Sequence, residues 1–122
     1  IMNVEFFEEK TFDREASENG SVWTIHKDAH ILKIPDSDGN WCTPYWSTRE
    51  RAVRFITKVK RYSDFLPLEI RLEVFLNVWL PDMKKGNRTL GINWSGVTTV
   101  GLEMTPDEVL NKAESLRKPR ST

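Results

Sequence analysis

The chain has 122 residues, and its eighteen Lys+Arg and eighteen Asp+Glu side chains cancel to a formal net charge of zero. That length suits one domain with a core that needs no staples, and zero net charge argues against a general nucleic-acid binder. The single Cys42 excludes an intramolecular disulfide, and no apolar run approaches the roughly 20 residues of a membrane span.

No signal peptide is evident at the N-terminus, so the expected setting is reducing and cytoplasmic. Ile1 reads as an extra residue ahead of a natural start at Met2. Charge is distributed unevenly. Residues 1–40 hold nine acids and four bases, whereas residues 41–122 hold nine acids and fourteen bases. Five Trp, six Phe and two Tyr supply the large core side chains.

Phe7, Phe12 and Ala16 share a helical stripe, and Asn19-Gly20 is a helix stop. A helix is expected over Thr11–Glu18, with residues 3–8 either extending it or forming a short strand. Ser21–His26 is β-branched and aromatic and predicts a strand. Lys27-Asp28-Ala29 turns the chain, and His30–Ile34 returns as a second strand ended by Pro35. The turn-rich loop Asp36–Asn40 leads to a third strand, Trp41–Trp46. Together these predict an antiparallel meander.

Ser47 and Glu50 have the S-x-x-E spacing of a capping box, which places a helix start near Thr48. Ala52, Phe55, Ile56 and Val59 form its core stripe to about Lys60. Opposite them stands a basic ridge of Arg51, Arg54, Lys58 and Arg61. After Tyr62–Leu66, Pro67 suits a first helical turn. Leu68, Leu72, Phe75, Leu76 and Trp79 then predict an amphipathic, central helix closed by Pro81. Lys84–Asn87 is a turn. Thr89–Trp94 and Thr98–Glu103 predict a hairpin around Ser95-Gly96. Thr105-Pro106-Asp107-Glu108 is a second capping box, with Val109, Leu110, Ala113 and Leu116 inward and a frayed tail at 118–122. The expected fold is α+β: one domain spanning 1–122, with an antiparallel sheet of about five strands. The meander and the later hairpin would share that sheet, with three to four helices packed on one face.

Motifs for chemistry are sparse. His26 and His30 have the spacing of two zinc ligands on a helix, but they straddle a hairpin turn and no Glu follows the first in the H-E-x-x-H sense. Surface or edge-strand histidines are the simpler reading, and no metal or cofactor is expected. Asp36 and Asp38 do not continue into a calcium-loop pattern, and turn formation accounts for both. Nucleophile-elbow, P-loop and dinucleotide-binding glycine motifs do not occur. Cys42, beside Trp41 in a strand, reads as a buried thiol. The ridge Arg51-Arg54-Lys58-Arg61 is the best candidate surface, able to meet phosphate or an acidic protein, although a solvated helix face also explains it.

A spread of residues carries a resemblance: Val22-Trp23-Thr24-Ile25, Pro44-x-Trp46-Ser47 with Arg49 and Ala52, and Leu68 through Trp79-Leu80-Pro81. Gly91-Ile92-Asn93-Trp94 and Gly101-Leu102-Glu103 with Pro106-Asp107-Glu108 complete it. In this order they resemble the bacterial family called domain of unknown function 2750, over about residues 12–116. The resemblance implies a compact α+β domain and supplies no catalytic residues. By analogy of kind, small bacterial proteins of this type resemble immunity proteins.

The leading expectation is therefore a non-enzymatic protein-binding domain, an immunity protein that neutralises a cognate toxin. Asp28, Asp36 and Asp38 would face a basic nuclease, or the ridge Arg51, Arg54, Lys58 and Arg61 an acidic partner. The alternatives are a small-molecule-binding or enzymatic domain with His26 or His30 near a Trp-lined pocket, and an RNA-binding accessory domain.

Overall fold

The structure is a computed structural model that describes residues 4–36, 38–96 and 101–117. The first helix, α1 (Val4–Asn19), runs without a break through the segment for which a strand was an alternative. Gly20 ends it at φ +67, a left-handed conformation that glycine adopts without a Cβ clash. Strand β1 (Ser21–Lys27) follows and pairs antiparallel with β2 (His30–Ile31).

The expected second strand is in fact divided. Its first two residues pair with β1, and β3 (Ile34–Pro35) pairs instead with β4 (Trp41–Tyr45). The meander thus splits between two sheets. One has the order β2-β1-β5 and the other β3-β4-β6-β7, where β5 is Leu66–Arg71, β6 is Thr89–Ile92 and β7 is Glu103–Met104. The class is α+β as expected, but the strands do not form one antiparallel sheet, because β4 and β6 are parallel. Of the expected 98–103 strand, residues 97–100 lie outside the described set, as does the 118–122 tail. The hairpin partner is seen at Glu103–Met104, opposite Gly91 and Leu90.

Helix α2 (Arg49–Lys58) begins one residue later than a Ser47 cap would place it. Thr48 is the N-cap: it is extended (φ −141, ψ 157) and its side chain accepts from the Arg51 N–H. Ser47 is fully buried and committed elsewhere. Its Oγ donates to Glu15 at 2.6 Å and its N–H donates to the Asn93 side chain at 3.0 Å. After a 3-10 turn at Lys60–Tyr62, the segment expected to open a helix is strand β5, paired with β1 along its whole length. β5 is an edge strand of its sheet, where Pro67, lacking an N–H, is tolerated.

The long helix begins at Leu72. Leu72–Val74, a π-helical stretch Phe75–Trp79 and Leu80–Lys85 run together as α3. Pro81 does not close it. The Leu80 N–H bonds to Phe75 O, an i to i−5 bond that widens the helix just before the proline, where a regular turn would drive the ring into a carbonyl. The Thr105–Glu108 capping box is present in full and opens α4 (Pro106–Leu110), followed by α5 (Ala113–Arg117).

Two cores result, on opposite faces of β4. Tyr45 faces a core with Phe12, Phe75, Leu76, Leu80, Leu90 and Ile92, covered by α1, α3, α4 and α5. Cys42 and Trp46 face the other, with Ile25, Ala52, Phe55 and Trp94, covered by α2. Helices therefore pack on both sides, not on one. Trp23 and Trp46 exchange both backbone hydrogen bonds at 2.7 Å, which joins the two sheets. Trp94 lies flat over β6 at Gly91, and its Nε1–H donates to Leu102 O at 3.0 Å. Glu15 of α1 holds Arg51 of α2 through two hydrogen bonds, at 2.8 and 3.0 Å.

Two outcomes test this packing. A Cβ at Gly91 would run into the Trp94 indole, with both its ring and its backbone held, so Gly91→Ala should destabilise by about 2 kcal/mol, read from the urea midpoint. A shift near zero would show that Trp94 moves freely. Arg51, followed by the Ser47 hydroxyl, holds the Glu15 carboxyl below the usual carboxylate range. A lowered folded pKa stabilises the fold above the unfolded value of about 4.3 and loses that contribution as pH falls through the folded value. Glu15→Gln should therefore cost about 1 kcal/mol at neutral pH, and the difference from wild type should shrink as acidification protonates the folded-state carboxyl. A difference independent of pH would contradict this role for Glu15.

Candidate functional site

A cleft of about 530 Å³ lies between α3 and the strands beside it. Such a volume lies within the range of small-ligand and side-chain sites, roughly 300–1,000 Å³. Its floor is β4, where side chains alternate across the strand. Cys42 and Trp46 point to the α2 core, so Thr43 and Tyr45 point into the cleft. Ile31 stands on one side, and Val78, Trp79, Pro81 and Met83 of α3 form the other. The π turn thus supplies part of the wall, and its widened register aims Val78 and Trp79 at the opening.

The floor is rigid. Tyr45 is 1% exposed, sits edge-on to Phe75 and Trp79, and donates its hydroxyl to the Met83 sulfur at 3.2 Å. Burial pushes the Tyr45 hydroxyl well above its usual range, so it stays neutral at any physiological pH. Thr43 is also buried, and it lines the same floor. The rim is cationic. Lys33, Lys85 and Arg88 surround the opening, with Asp82 the one acidic group lining it. None of the ion pairs among the described residues involves those three cations. Lys33 rests over the half-exposed Trp41 ring, 4.9 Å from its centroid.

The residues singled out from sequence lie elsewhere. Asp28 is in the β1–β2 turn at φ 56, its carbonyl 2.9 Å from His26 Nδ1. Asp36 Oδ1 accepts from the N–H groups of Asp38 and Asn40, the turn role expected of it. Asp36 and Asp38 line a second recess of about 400 Å³, with Lys84, Arg88, Glu103 and Asp107. Asp28 does not join them. Arg51 is bound to Glu15, which leaves Arg54 and Lys58 exposed on α2, and Arg61 on the following turn over Tyr62. His26 and His30 sit at the end of the β1–β2 hairpin, and neither lines the cleft. Among the described residues, no group of three or more His, Cys, Asp or Glu is placed to hold a metal, and no helix is long and apolar enough to cross a membrane.

Sequence reasoning missed Thr43, Lys33, Lys85 and Arg88. A signal existed for part of the set. The alternation across Trp41–Trp46 separates Thr43 and Tyr45 from Cys42 and Trp46, and the turn after α3 is basic. What brings these groups together is the parallel β4–β6 pairing and the course of α3, which no local pattern encodes. The Cys42 thiol, by contrast, is on the opposite face of β4, and burial pushes it up to about 12.

The residues that carried the family resemblance cluster where the two sheets meet. Trp23 pairs with Trp46, Ser47 with Asn93, and Trp94 lies between Gly91 and Gly101. The pattern of the family described as Protein of unknown function (DUF2750) matches residues 10–112. No curated protein matches the chain at a significant level. With most of its length matched, and with that spread of residues assembled at one structural junction, the chain belongs to the DUF2750 family.

Proposed function

We propose that the chain is a protein-binding domain that takes an acidic partner on the face formed by α3 and β4. The carrying observation is the combination of bare apolar surface and uncommitted positive charge there. Val78 is 60% exposed at the cleft, which Lys33, Lys85 and Arg88 also line, and Val74, one turn earlier on α3, is 39% exposed. Apolar side chains left in water beside a shaped cavity favour coverage by another molecule, and the rim selects for negative charge. An immunity role, in which the partner is a cognate toxin held inactive by the bound domain, suits a small domain built around one such face. The cleft cations, which differ from the Arg51-Arg54-Lys58-Arg61 ridge first considered for an acidic partner, favour the acidic-partner version of that role, and Asp28 does not line the recess of Asp36 and Asp38.

Calorimetric titration against the toxin domain encoded beside this chain tests the reading. Wild type should form a complex of micromolar affinity or tighter. Val78→Asp and Lys85→Glu should each weaken it tenfold or more, about 1.4 kcal/mol, with an unchanged thermal midpoint. No complex with the wild-type domain, or equal affinity for the two variants, overturns the assignment.

A further inference from the structure

We infer that the cleft reads a short acidic peptide segment carrying one large apolar anchor, with Thr43 and Arg88 as its specificity-determining residues. This rests on the proposal that the α3–β4 face binds a partner, and it specifies what enters the cavity. The lining divides into three zones that match three chemical features of such a segment.

The half-buried Trp79 and the exposed Val78, backed by the buried Tyr45 and Met83, give an apolar wall suited to an aromatic or long aliphatic side chain. Thr43 gives a hydroxyl on the floor of the cleft, 4% exposed. A hydroxyl at the foot of an open cleft can exchange water for an incoming peptide carbonyl or N–H. At the mouth, Arg88 and Lys85 place positive charge where carboxylates flanking the anchor would stand, and Lys33 does so from the strand side. Asp82, at the same mouth, disfavours a basic flank. About 530 Å³ holds an anchor side chain with the backbone around it. A nucleic acid would need a longer basic track than this closed rim provides.

The probes are three tripeptide amides: N-acetyl-Phe-Glu-Glu, N-acetyl-Phe-Lys-Lys and N-acetyl-Ser-Glu-Glu. Each is titrated into uniformly nitrogen-15-labelled full chain and followed by amide and indole chemical shifts. The Phe-Glu-Glu probe should bind in the millimolar range or tighter, with shifts centred on Thr43, Tyr45 and the Trp79 indole. The other two should bind at least fivefold more weakly. Thr43→Val keeps the side-chain shape and should weaken the first probe about fivefold at any salt concentration. Arg88→Gln should weaken it similarly and flatten its dependence on salt. Equal binding of the Lys probe, shifts centred on α2 instead of the cleft, or no shift at 10 mM peptide would overturn the inference. Peptide binding at the cleft without any toxin complex would support the site and remove the toxin. A toxin complex insensitive to Thr43→Val and Arg88→Gln would overturn this inference while leaving the protein-binding reading standing.

Discussion

The fold depends on one reciprocal pair of hydrogen bonds. Trp23 and Trp46 each give and accept a backbone bond at 2.7 Å, and among the described residues no other strand pairing spans the two sheets. Trp46 then fixes a third point, because its Nε1–H donates to the carbonyl of Trp94 at 2.7 Å. Alongside, the buried Thr24 hydroxyl donates to Pro44 O, a carbonyl just before the joint. Fully buried polar groups must find partners, so these bonds leave the chain little freedom in how β1 approaches β4. With β1 held there, β4 runs between two cores, and every side chain from Cys42 to Trp46 is buried on one face or the other.

The polar cluster beside this joint has the same purpose. Ser47 is a helix-start residue by type, yet its hydroxyl serves Glu15, and Glu15 serves Arg51. Asn93, held at φ 49, turns its amide toward Ser47 from the end of β6. Three elements are thereby tied at one point: α1, the start of α2 and the end of the parallel pair. Residues of catalytic type meet here, but each is saturated by its neighbours, and the constellation acts as a fastening.

Local physics made much of the chain legible. The Asn19-Gly20 stop, the β-branched run of β1, the stripe of α2 and the Thr105–Glu108 box are all decided within a few residues of themselves, and all are found. The failures share a cause. Ser47 and Glu50 have box spacing, but burial gave the Ser hydroxyl a distant partner and moved the cap to Thr48. Leu68, Leu72 and Phe75 fit a helical period, yet β1 offers its edge to Leu66–Arg71, and six backbone pairings outweigh a weak propensity. Pro81 reads as a helix end, and the π turn before it removes the reason to stop. The cleft was invisible for the same reason. Thr43, Lys33, Trp79 and Arg88 are far apart in sequence and meet only through tertiary pairing.

The lopsided charge of the chain acquires a physical role in this arrangement. Three acids of α1 are paired with bases from the second half. Glu15 takes Arg51, and Glu9 and Asp13 both hold Lys112, at 2.8 and 2.9 Å. Two opposed halves would give a dipolar molecule if each formed its own surface, but here they interleave, and α1 becomes the strip against which α2 and α5 are charged. Asp13 shows the limit of that neutralisation: burial raises its carboxyl above the usual range, and Lys112 only partly offsets it. Part of the remaining positive charge stays on α2 and the turn after it, at Arg54, Lys58 and Arg61. Lys33 follows β2, Lys85 ends α3 and Arg88 lies just beyond it, and these three line the same cleft. A chain with zero net charge can therefore present a locally cationic mouth without the broad basic field of a nucleic-acid binder.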